Sequence, residues 1–182
     1  MFQDFALLPW RTVAGNVALA LEHHGLGKAE CEERIAAVLA RTKLAEFAQA
    51  YPRQLSGGMR QRVGIARALV VEPEILFMDE PLSALDAQTR ELLMEDLLAL
   101  LDGTGAAAVY VTHNLVEAIR LADRIAVFSR RPGRVREIVP VEIPRKERGE
   151  SGAARAVAEL EARLWQLIKR EALAVERERI DD

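Results

Sequence analysis

The sequence has little of several features that define other classes of protein. It contains one cysteine, Cys31, so it can form neither a disulfide framework nor a cysteine-based metal site. Aromatic residues make up 5% of the chain, which argues against a base-stacking surface for single-stranded nucleic acid. It shows no signal peptide, and no apolar run approaches the roughly 18–20 residues of a membrane span. We therefore expect a cytoplasmic chain that serves a membrane process only by docking on a separate membrane subunit.

The composition indicates one packed domain with no nucleic-acid partner. The chain has 182 residues, and half of them are hydrophobic, which is enough for one sizeable core. Its formal net charge is −3. Proteins that bind the phosphate backbone of nucleic acids are usually basic, so this charge gives no support to such a function.

Hydrophobic patterning predicts an α/β fold. Three short apolar runs alternate with two helical stretches, in the order 75–78, 89–101, 107–112, 115–122 and 125–128. This alternation is typical of strands in a parallel sheet that is covered on both faces. A further edge element is predicted at 134–141, after Pro132-Gly133.

Helices are predicted on both sides of this region. Val13, Val17 and Leu21 lie four residues apart, a second helix covers 29–41, and a third begins near Ser56. A charged, glycine-containing stretch at 145–152 suggests a linker, and an amphipathic C-terminal helix follows it. The chain then divides into helical residues 1–72, sheet residues 73–144, and the linker with its helix, 145–182.

Two adjacent carboxylates, Asp79 and Glu80, follow the first apolar run. Charged groups at the end of a buried strand are costly to place without partners or a purpose. The carboxyl ends of parallel strands are where open α/β sheets bind ligands. Asp79 suits a hard cation such as Mg²⁺, and Glu80 suits the orientation and deprotonation of a water molecule. For the pair alone, a solvated turn is an equal alternative.

A glycine-rich segment opens directly into the third helix. Ser56 can cap that helix, while Gly57 and Gly58 let the backbone approach an anion closely. Backbone N–H groups and the helix dipole at such a position favour a phosphate. Taken alone, these residues fit an ordinary glycine-rich turn into a helix better than a phosphate site.

Together and in order, these segments resemble the motifs of ATP-binding cassette (ABC) ATPases. Residues 55–62, Leu-Ser-Gly-Gly-Met-Arg-Gln-Arg, resemble the ABC signature, and residues 75–80 resemble its Walker B strand. Shorter matches are a Q-loop at Phe2-Gln3, a D-loop at 83–86 and a switch-histidine loop at 111–113. The resemblance covers almost the whole chain. It implies a P-loop NTPase-like (RecA-like) parallel sheet with a helical subdomain and a C-terminal helix.

Two segments resemble one branch of this family. Residues 7–10, Leu-Leu-Pro-Trp, and residues 131–135, Arg-Pro-Gly-Arg-Val, look like those of importers of nitrate, sulfonates and taurine. Met59 replaces a Gln that often ends the signature. Asn114 stands where many members have Asp, and it can still cap the helix that follows. The implied function is ATP-driven import of a small anion.

The resemblance implies a hydrolytic role for four residues. Asp79 would support Mg²⁺, and Glu80 would act as general base toward the attacking water. His113 would contact the γ-phosphate of ATP, and Gln3 would sense Mg²⁺ and the water. Phosphoryl transfer depends on positioning and charge neutralisation more than on covalent help, which suits these side chains.

The resemblance also implies a site that a second subunit completes. Ser56, Gly57 and Gly58 would bind the γ-phosphate of an ATP molecule held by the opposite subunit, and Asp86 would couple the two sites. The implied cofactors are ATP and Mg²⁺. The implied partners are a second ATP-binding subunit in a homodimer, transmembrane permease subunits and, indirectly, a periplasmic or lipoprotein solute-binding protein. The implied location is the cytoplasmic face of the cell membrane.

One motif of the family is missing from the sequence. The phosphate-cradling loop reads G-x-x-x-x-G-K-[ST], and Gly27-Lys28 fails this pattern because Glu22 stands at the first glycine and Ala29 follows the lysine. In the family this loop lies upstream of the Q-loop, so the chain looks like an N-terminally truncated member. We expect such a chain to be inactive alone and to expose apolar surface on the strands at Ile75 and Ala107.

Two other functions fit part of the sequence. A non-catalytic partner would lend only its signature helix to an intact ATPase subunit; the missing loop favours this, whereas Glu80 and His113 argue against it. An ABC-type ATPase of DNA repair or translation is the other candidate. Repair members carry long coiled coils between the Q-loop and the signature, whereas only residues 4–54 separate the two motifs here.

Overall fold

The chain folds into two compact units, Met1–Val111 and Thr112–Asp182. Their structure is a computed structural model that describes residues 6–83, 85–129 and 131–178, with side chains described to residue 169. The segment boundaries predicted after residues 72 and 144 stay predictions. Across the described residues, no helix has the length and hydropathy needed to cross a membrane.

Three helices precede the first strand, as the sequence predicts. They are α1 (Val13–Ala18), α2 (Lys28–Arg41) and α3 (Gly57–Leu69). Gly25 lies between the first two with a φ of +66°, a left-handed conformation that favours glycine. Apolar side chains from all three helices are buried: Val13, Val17, Val38, Leu39, Val63, Ile65, Ala66 and Leu69.

The first unit also contains a two-stranded parallel sheet. Strands β1 (Ile75–Asp79) and β2 (Ala107–Val111) are joined by helix α4 (Ala87–Asp102), which confirms the predicted parallel pairing. Side chains alternate between the two faces of a strand. Accordingly, Leu76 and Met78 are buried on one face of β1.

The other face of this sheet is apolar and exposed. Phe77 is 63% exposed and Val109, its register partner on β2, is 46% exposed. Ile75 and Ala107 are paired and exposed on the same face. The prediction that these strands expose apolar surface is therefore confirmed. Such a face is unusual, because parallel sheets are generally covered on both sides.

The second unit contains a two-stranded antiparallel sheet. Helix α5 (Leu115–Leu121) precedes strands β3 (Arg124–Phe128) and β4 (Val135–Pro140), and helix α6 (Ala154–Glu178) follows them. The predicted edge element is strand β4. The prediction that 125–128 joins the parallel sheet is wrong, because the short connection to β4 returns the chain alongside β3 and gives antiparallel pairing. The core of the unit consists of Ile119, Val127, Val139, Val141 and Leu164.

The segment predicted as a linker at 145–152 is mostly exposed, but it is anchored at one residue. It contains two short 3-10 turns, Arg145–Glu147 and Ser151–Ala153. Between them, Arg148 is 6% exposed, and its guanidinium donates hydrogen bonds to five backbone carbonyl groups. The charged composition indicates a solvated stretch, but an arginine can be buried when carbonyl oxygens accept its N–H groups.

Two neighbouring substitutions on β1 test which face of the sheet is buried. Leu76→Ala removes a side chain that is 5% exposed, and we expect a loss of about 2–4 kcal/mol in the free energy of unfolding. Phe77→Ala removes a larger but mostly exposed side chain, and we expect a loss below about 1 kcal/mol. Urea denaturation measures both values. Equal losses would show that another part of the protein covers Phe77.

Candidate functional site

The start of helix α3 is built to present backbone N–H groups. Ser56 is the N-cap, and its Oγ atom accepts a hydrogen bond from the Met59 amide at 3.2 Å, which confirms the predicted cap. The other N–H groups of a first helical turn have no partner within the helix. No acidic residue lies in this turn to neutralise the positive end of the helix dipole. The arrangement can therefore bind an anion.

Gly58 determines how closely α3 approaches α4. A Cβ atom at this position would lie 3.0 Å from Cγ2 of Thr89 and 3.3 Å from Cδ1 of Leu93. Those separations are tighter than most Cβ contacts, so an added methyl group would require Thr89 and Leu93 to shift by a few tenths of an ångström. At Gly57 the nearest atom to a Cβ would be Cδ2 of Leu85 at 3.8 Å, which is an ordinary contact. The two glycines thus differ: a Cβ atom would be crowded at Gly58 and has room at Gly57.

The acidic pair lies where β1 ends. Asp79 is the exposed last residue of the strand, and the Glu80 amide donates to the Val111 carbonyl at 2.9 Å. Ser83 closes a turn by donating from its amide and its hydroxyl to the Glu80 carbonyl, at 3.2 and 2.9 Å. Glu80 has a φ of +42°, which costs a non-glycine residue about 1–3 kcal/mol. The fold therefore holds this carboxylate on a strained backbone at the edge of the sheet.

The segment after the acidic pair is held by α4. Arg90 donates to the carbonyl of Leu82 at 3.3 Å and to that of Leu85 at 2.8 Å. Asp86 is the N-cap of α4 and accepts from the Thr89 amide at 2.9 Å. Hydrogen bonds from Thr89, first from its side chain and then from its backbone, lower the pKa of the Asp86 carboxyl. Locally, Asp86 is thus a helix cap, and its predicted role between subunits stays a prediction.

The first unit brings the signature and D-loop matches side by side. Leu85 lies beside Gly57, and Thr89, in the first turn of α4, packs on Gly58. The Glu80 turn continues directly into this segment. Gln3 lies outside the described residues, so its role stays a prediction.

His113 belongs to the second unit, where it is exposed. The next residue, Asn114, is the N-cap of α5, and its Oδ1 atom accepts from the amides of Val116 at 2.9 Å and Glu117 at 3.3 Å. The sequence prediction that Asn114 caps this helix is confirmed. The contact of His113 with a phosphate stays a prediction.

Sequence reasoning missed the residues that support these motifs. Arg90 holds the carbonyls of the D-loop match, and Thr89 fills the space beside Gly58. The spacing from Asp86 to Arg90 was the available signal, because residues four apart share a face of a helix. Nothing in the sequence marks the contact between Thr89 and Gly58, which depends on how two helices cross.

A solved structure and a family profile identify the class of protein. The profile of the ABC transporter domain matches residues 1–83. The chain aligns with the ATP-binding cassette MJ0796, solved as a dimer in a post-hydrolysis state bound to ADP and Pi, at a TM-score of 0.63 and 36% identity. The alignment covers 78% of this chain and 61% of that one. The fold is therefore the P-loop NTPase-like α/β fold that the sequence predicts.

Curated relatives identify the family more closely. The chain is 45% identical over 157 residues to the taurine import ATP-binding protein TauB of Rhizobium johnstonii, covering 86% of this chain and 60% of that protein. It is 47% identical over 145 residues to an ABC transporter ATP-binding protein of Methanocaldococcus jannaschii, covering 80% and 54%. The chain belongs to the ATP-binding proteins of ABC transporters, and it spans little more than half the length of these relatives.

Alanine substitutions at the two glycines test their different roles. At Gly58 we expect a net loss of about 1 kcal/mol in the free energy of unfolding, because the crowding of Thr89 outweighs the better helix propensity of alanine. At Gly57 the added methyl group has room, so we expect no loss and a gain of up to about 1 kcal/mol. Urea denaturation measures both, and equal values would contradict the close approach of α3 and α4.

The pH dependence of stability tests the cap at Asp86. Because its pKa is lowered in the folded protein, Asp86 stabilises the fold fully above its ordinary pKa of 3.8. This contribution is lost as the pH falls through the lower folded value. Asp86→Asn caps the helix without a titrating group. We therefore expect the stability difference between wild type and Asp86→Asn to shrink in acid titrations below pH 3.8; a difference that grows would contradict the assignment.

Proposed function

We propose that this chain is the ATP-binding and ATP-hydrolysing part of an ABC importer, and that it couples hydrolysis to uptake of a small anion such as nitrate, a sulfonate or taurine. The observation that carries the proposal is the packing of the start of α3 beside the segment that runs from Asp79 to Asp86. The anion class is supported by taurine import ATP-binding proteins at 45% and 46% identity.

In this proposal the start of α3 binds the γ-phosphate of an ATP molecule held by a second ATP-binding subunit. The donors are the Ser56 hydroxyl and the backbone N–H groups of Gly57 and Gly58. Because Gly58 packs tightly on α4, these donors stand in place before the phosphate arrives and need little reorganisation. The dimeric state of the solved relative supports a second subunit as partner.

The hydrolytic chemistry is assigned to Asp79 and Glu80, at the start of the segment that runs from Asp79 to Asp86. Mg²⁺ at nucleotide sites usually takes one or two carboxylates and keeps several waters, so the single exposed carboxylate of Asp79 fits this cation. When bound, the cation neutralises charge on the phosphates. Glu80 accepts a proton from the attacking water. Hydrogen bonds with Val111 and Ser83 hold the backbone of Glu80 in place. His113 contacts the γ-phosphate, and Gln3 senses the cation and the water.

Three exposed aromatic side chains support docking on permease subunits. Trp10 is 71% exposed, Phe47 is 40% exposed and Tyr51 is 39% exposed. The Val13 amide donates to the Ala50 carbonyl at 2.8 Å, so the two segments that carry these aromatics are neighbours. Aromatic residues are enriched in protein interfaces. The chain then works at the cytoplasmic face of the membrane, and a solute-binding protein acts through the permease.

A second candidate function is a non-catalytic partner. In this version the start of α3 completes an ATP site on an intact subunit, and Glu80 takes no part in catalysis.

Two substitutions, measured in an importer assembled with this protein in proteoliposomes, test the proposal. Glu80→Gln cannot accept a proton, so we expect kcat for ATP hydrolysis to fall about 100-fold or more, with nucleotide affinity kept. Gly57→Glu places a negative charge where an added side chain has room, so we expect the fold to persist and both ATP-dependent closure and uptake to be lost.

Matched controls separate the candidates. Glu95→Gln changes an exposed carboxylate on α4 and should leave turnover unchanged. Gly57→Gln adds the same bulk without charge, so the activity that it keeps and Gly57→Glu loses measures the effect of the charge alone. Normal hydrolysis by Glu80→Gln, combined with loss in Gly57→Glu, would favour the non-catalytic partner. Normal hydrolysis by both variants would refute both candidate functions.

A further inference from the structure

A single hydroxyl group closes the loop that carries His113. The Oγ atom of Thr112 accepts a hydrogen bond from the Asn114 amide at 3.0 Å and donates to Oε2 of Glu117 at 2.9 Å. Thr112 and Asn114, on either side of His113, are therefore linked through the hydroxyl oxygen of Thr112. The loop is short and fixed at its base, while the imidazole it carries is exposed.

Glu117 is the buried end of this connection. Glu117 is 3% exposed, and its backbone amide donates a hydrogen bond to Oδ1 of Asn114 at 3.3 Å. A buried carboxylate is costly unless its oxygen atoms accept hydrogen bonds, and the Thr112 hydroxyl supplies one. Helix formation alone does not require an acid on the buried face of α5. The hydrogen bond from Thr112 connects this carboxylate to the loop in front of it.

The far end of α5 is fixed as well. The Nη1 atom of Arg148 donates to the carbonyls of Ile119 at 3.2 Å and Ala122 at 2.8 Å, and its Nη2 atom donates to that of Val141 at 3.3 Å. Arg148 thus satisfies carbonyls that the end of a helix leaves without partners and connects them to Val141, the residue after strand β4. Ile119, on the same helix, is fully buried in the core of the unit. Glu117 is therefore carried by a rigid support.

We propose that Glu117 is a positioning residue for His113, which acts through the Thr112 hydroxyl to hold the loop in one conformation. The functional meaning rests on the proposed contact of His113 with the γ-phosphate. A loop that is ordered before nucleotide arrives loses less conformational entropy when the site closes. Neither Thr112 nor Glu117 touches the nucleotide in this proposal.

Histidine-selective NMR of the full chain tests the positioning directly. The sequence has three histidines, and His23 and His24 belong to the other unit, so they serve as internal controls. Thr112→Val keeps the shape of the side chain and removes the hydroxyl, and we expect it to shift and broaden the His113 ring signals alone. Thr112→Ser keeps the hydroxyl, and we expect it to restore the wild-type signals.

A second pair of variants examines the carboxylate end. Glu117→Met removes the acceptor and should reproduce the effect of Thr112→Val, while Glu117→Gln keeps an acceptor oxygen and should stay close to wild type. Unchanged His113 signals in Thr112→Val would overturn the proposal. So would equal effects of valine and serine, or changes at all three histidines, since these would indicate a general loss of structure.

Turnover by the assembled importer separates this inference from the proposed function. Loss of one hydrogen bond that orders the loop should lower kcat of Thr112→Val about fivefold to tenfold and leave KM within about twofold. Thr112→Ser should recover kcat. The NMR result does not depend on nucleotide, so the positioning can hold even if the importer hydrolyses no ATP. A kcat of Thr112→Val equal to that of wild type, in an active importer, would overturn the functional role.

Discussion

The close approach of helices α3 and α4 is the constraint on which the candidate site depends. It exists because position 58 has no side chain, since a Cβ atom there would lie 3.0 Å from Thr89. That contact fixes the start of α3, with its Ser56 cap, beside the start of α4, with its Asp86 cap. The N-terminus of α3, a source of positive potential, thus lies beside that of α4, where the Asp86 carboxylate supplies a negative charge. In the proposed function, the packing of Gly58 and the binding of an anion by α3 depend on the same helix contact.

In each unit a buried or half-buried arginine supports the backbone by donating hydrogen bonds to carbonyl groups. Arg90 holds the carbonyls that lead into α4, and Arg148 holds those at the end of α5. An arginine is suited to this because its planar head carries several donors in fixed directions. Glu80 stands on a short connection next to the carbonyls that Arg90 holds, whereas Arg148 holds the far end of the helix that follows His113.

The parts of the fold that could be predicted are those that local chemistry decides. The period of the apolar residues predicts α2 and α3, and capping chemistry at Ser56 predicts where α3 begins. The partner of a strand is a different matter, because it depends on chain path: residues 125–128 have the composition of a parallel strand, yet they pair with β4. The burial of Arg148 was also hidden, since a charged, glycine-containing stretch reads as solvated until carbonyl acceptors are in place. At the site, residue types indicated Asp79 and Glu80, but only the three-dimensional structure shows that Gly58 and Gly57 have different tasks.

The most direct test of the central claim is the distance between copies of the α3 start. Arg53 is exposed in the turn before α3, and Cys31 is the sole cysteine, so Arg53→Cys with Cys31→Ser places one spin label on each subunit. Pulsed electron paramagnetic resonance on the assembled importer then measures the label-to-label distance with and without ATP and Mg²⁺. The account predicts that nucleotide shortens and narrows this distance, and that Gly57→Glu abolishes the change. The same distance distribution with and without nucleotide would contradict it.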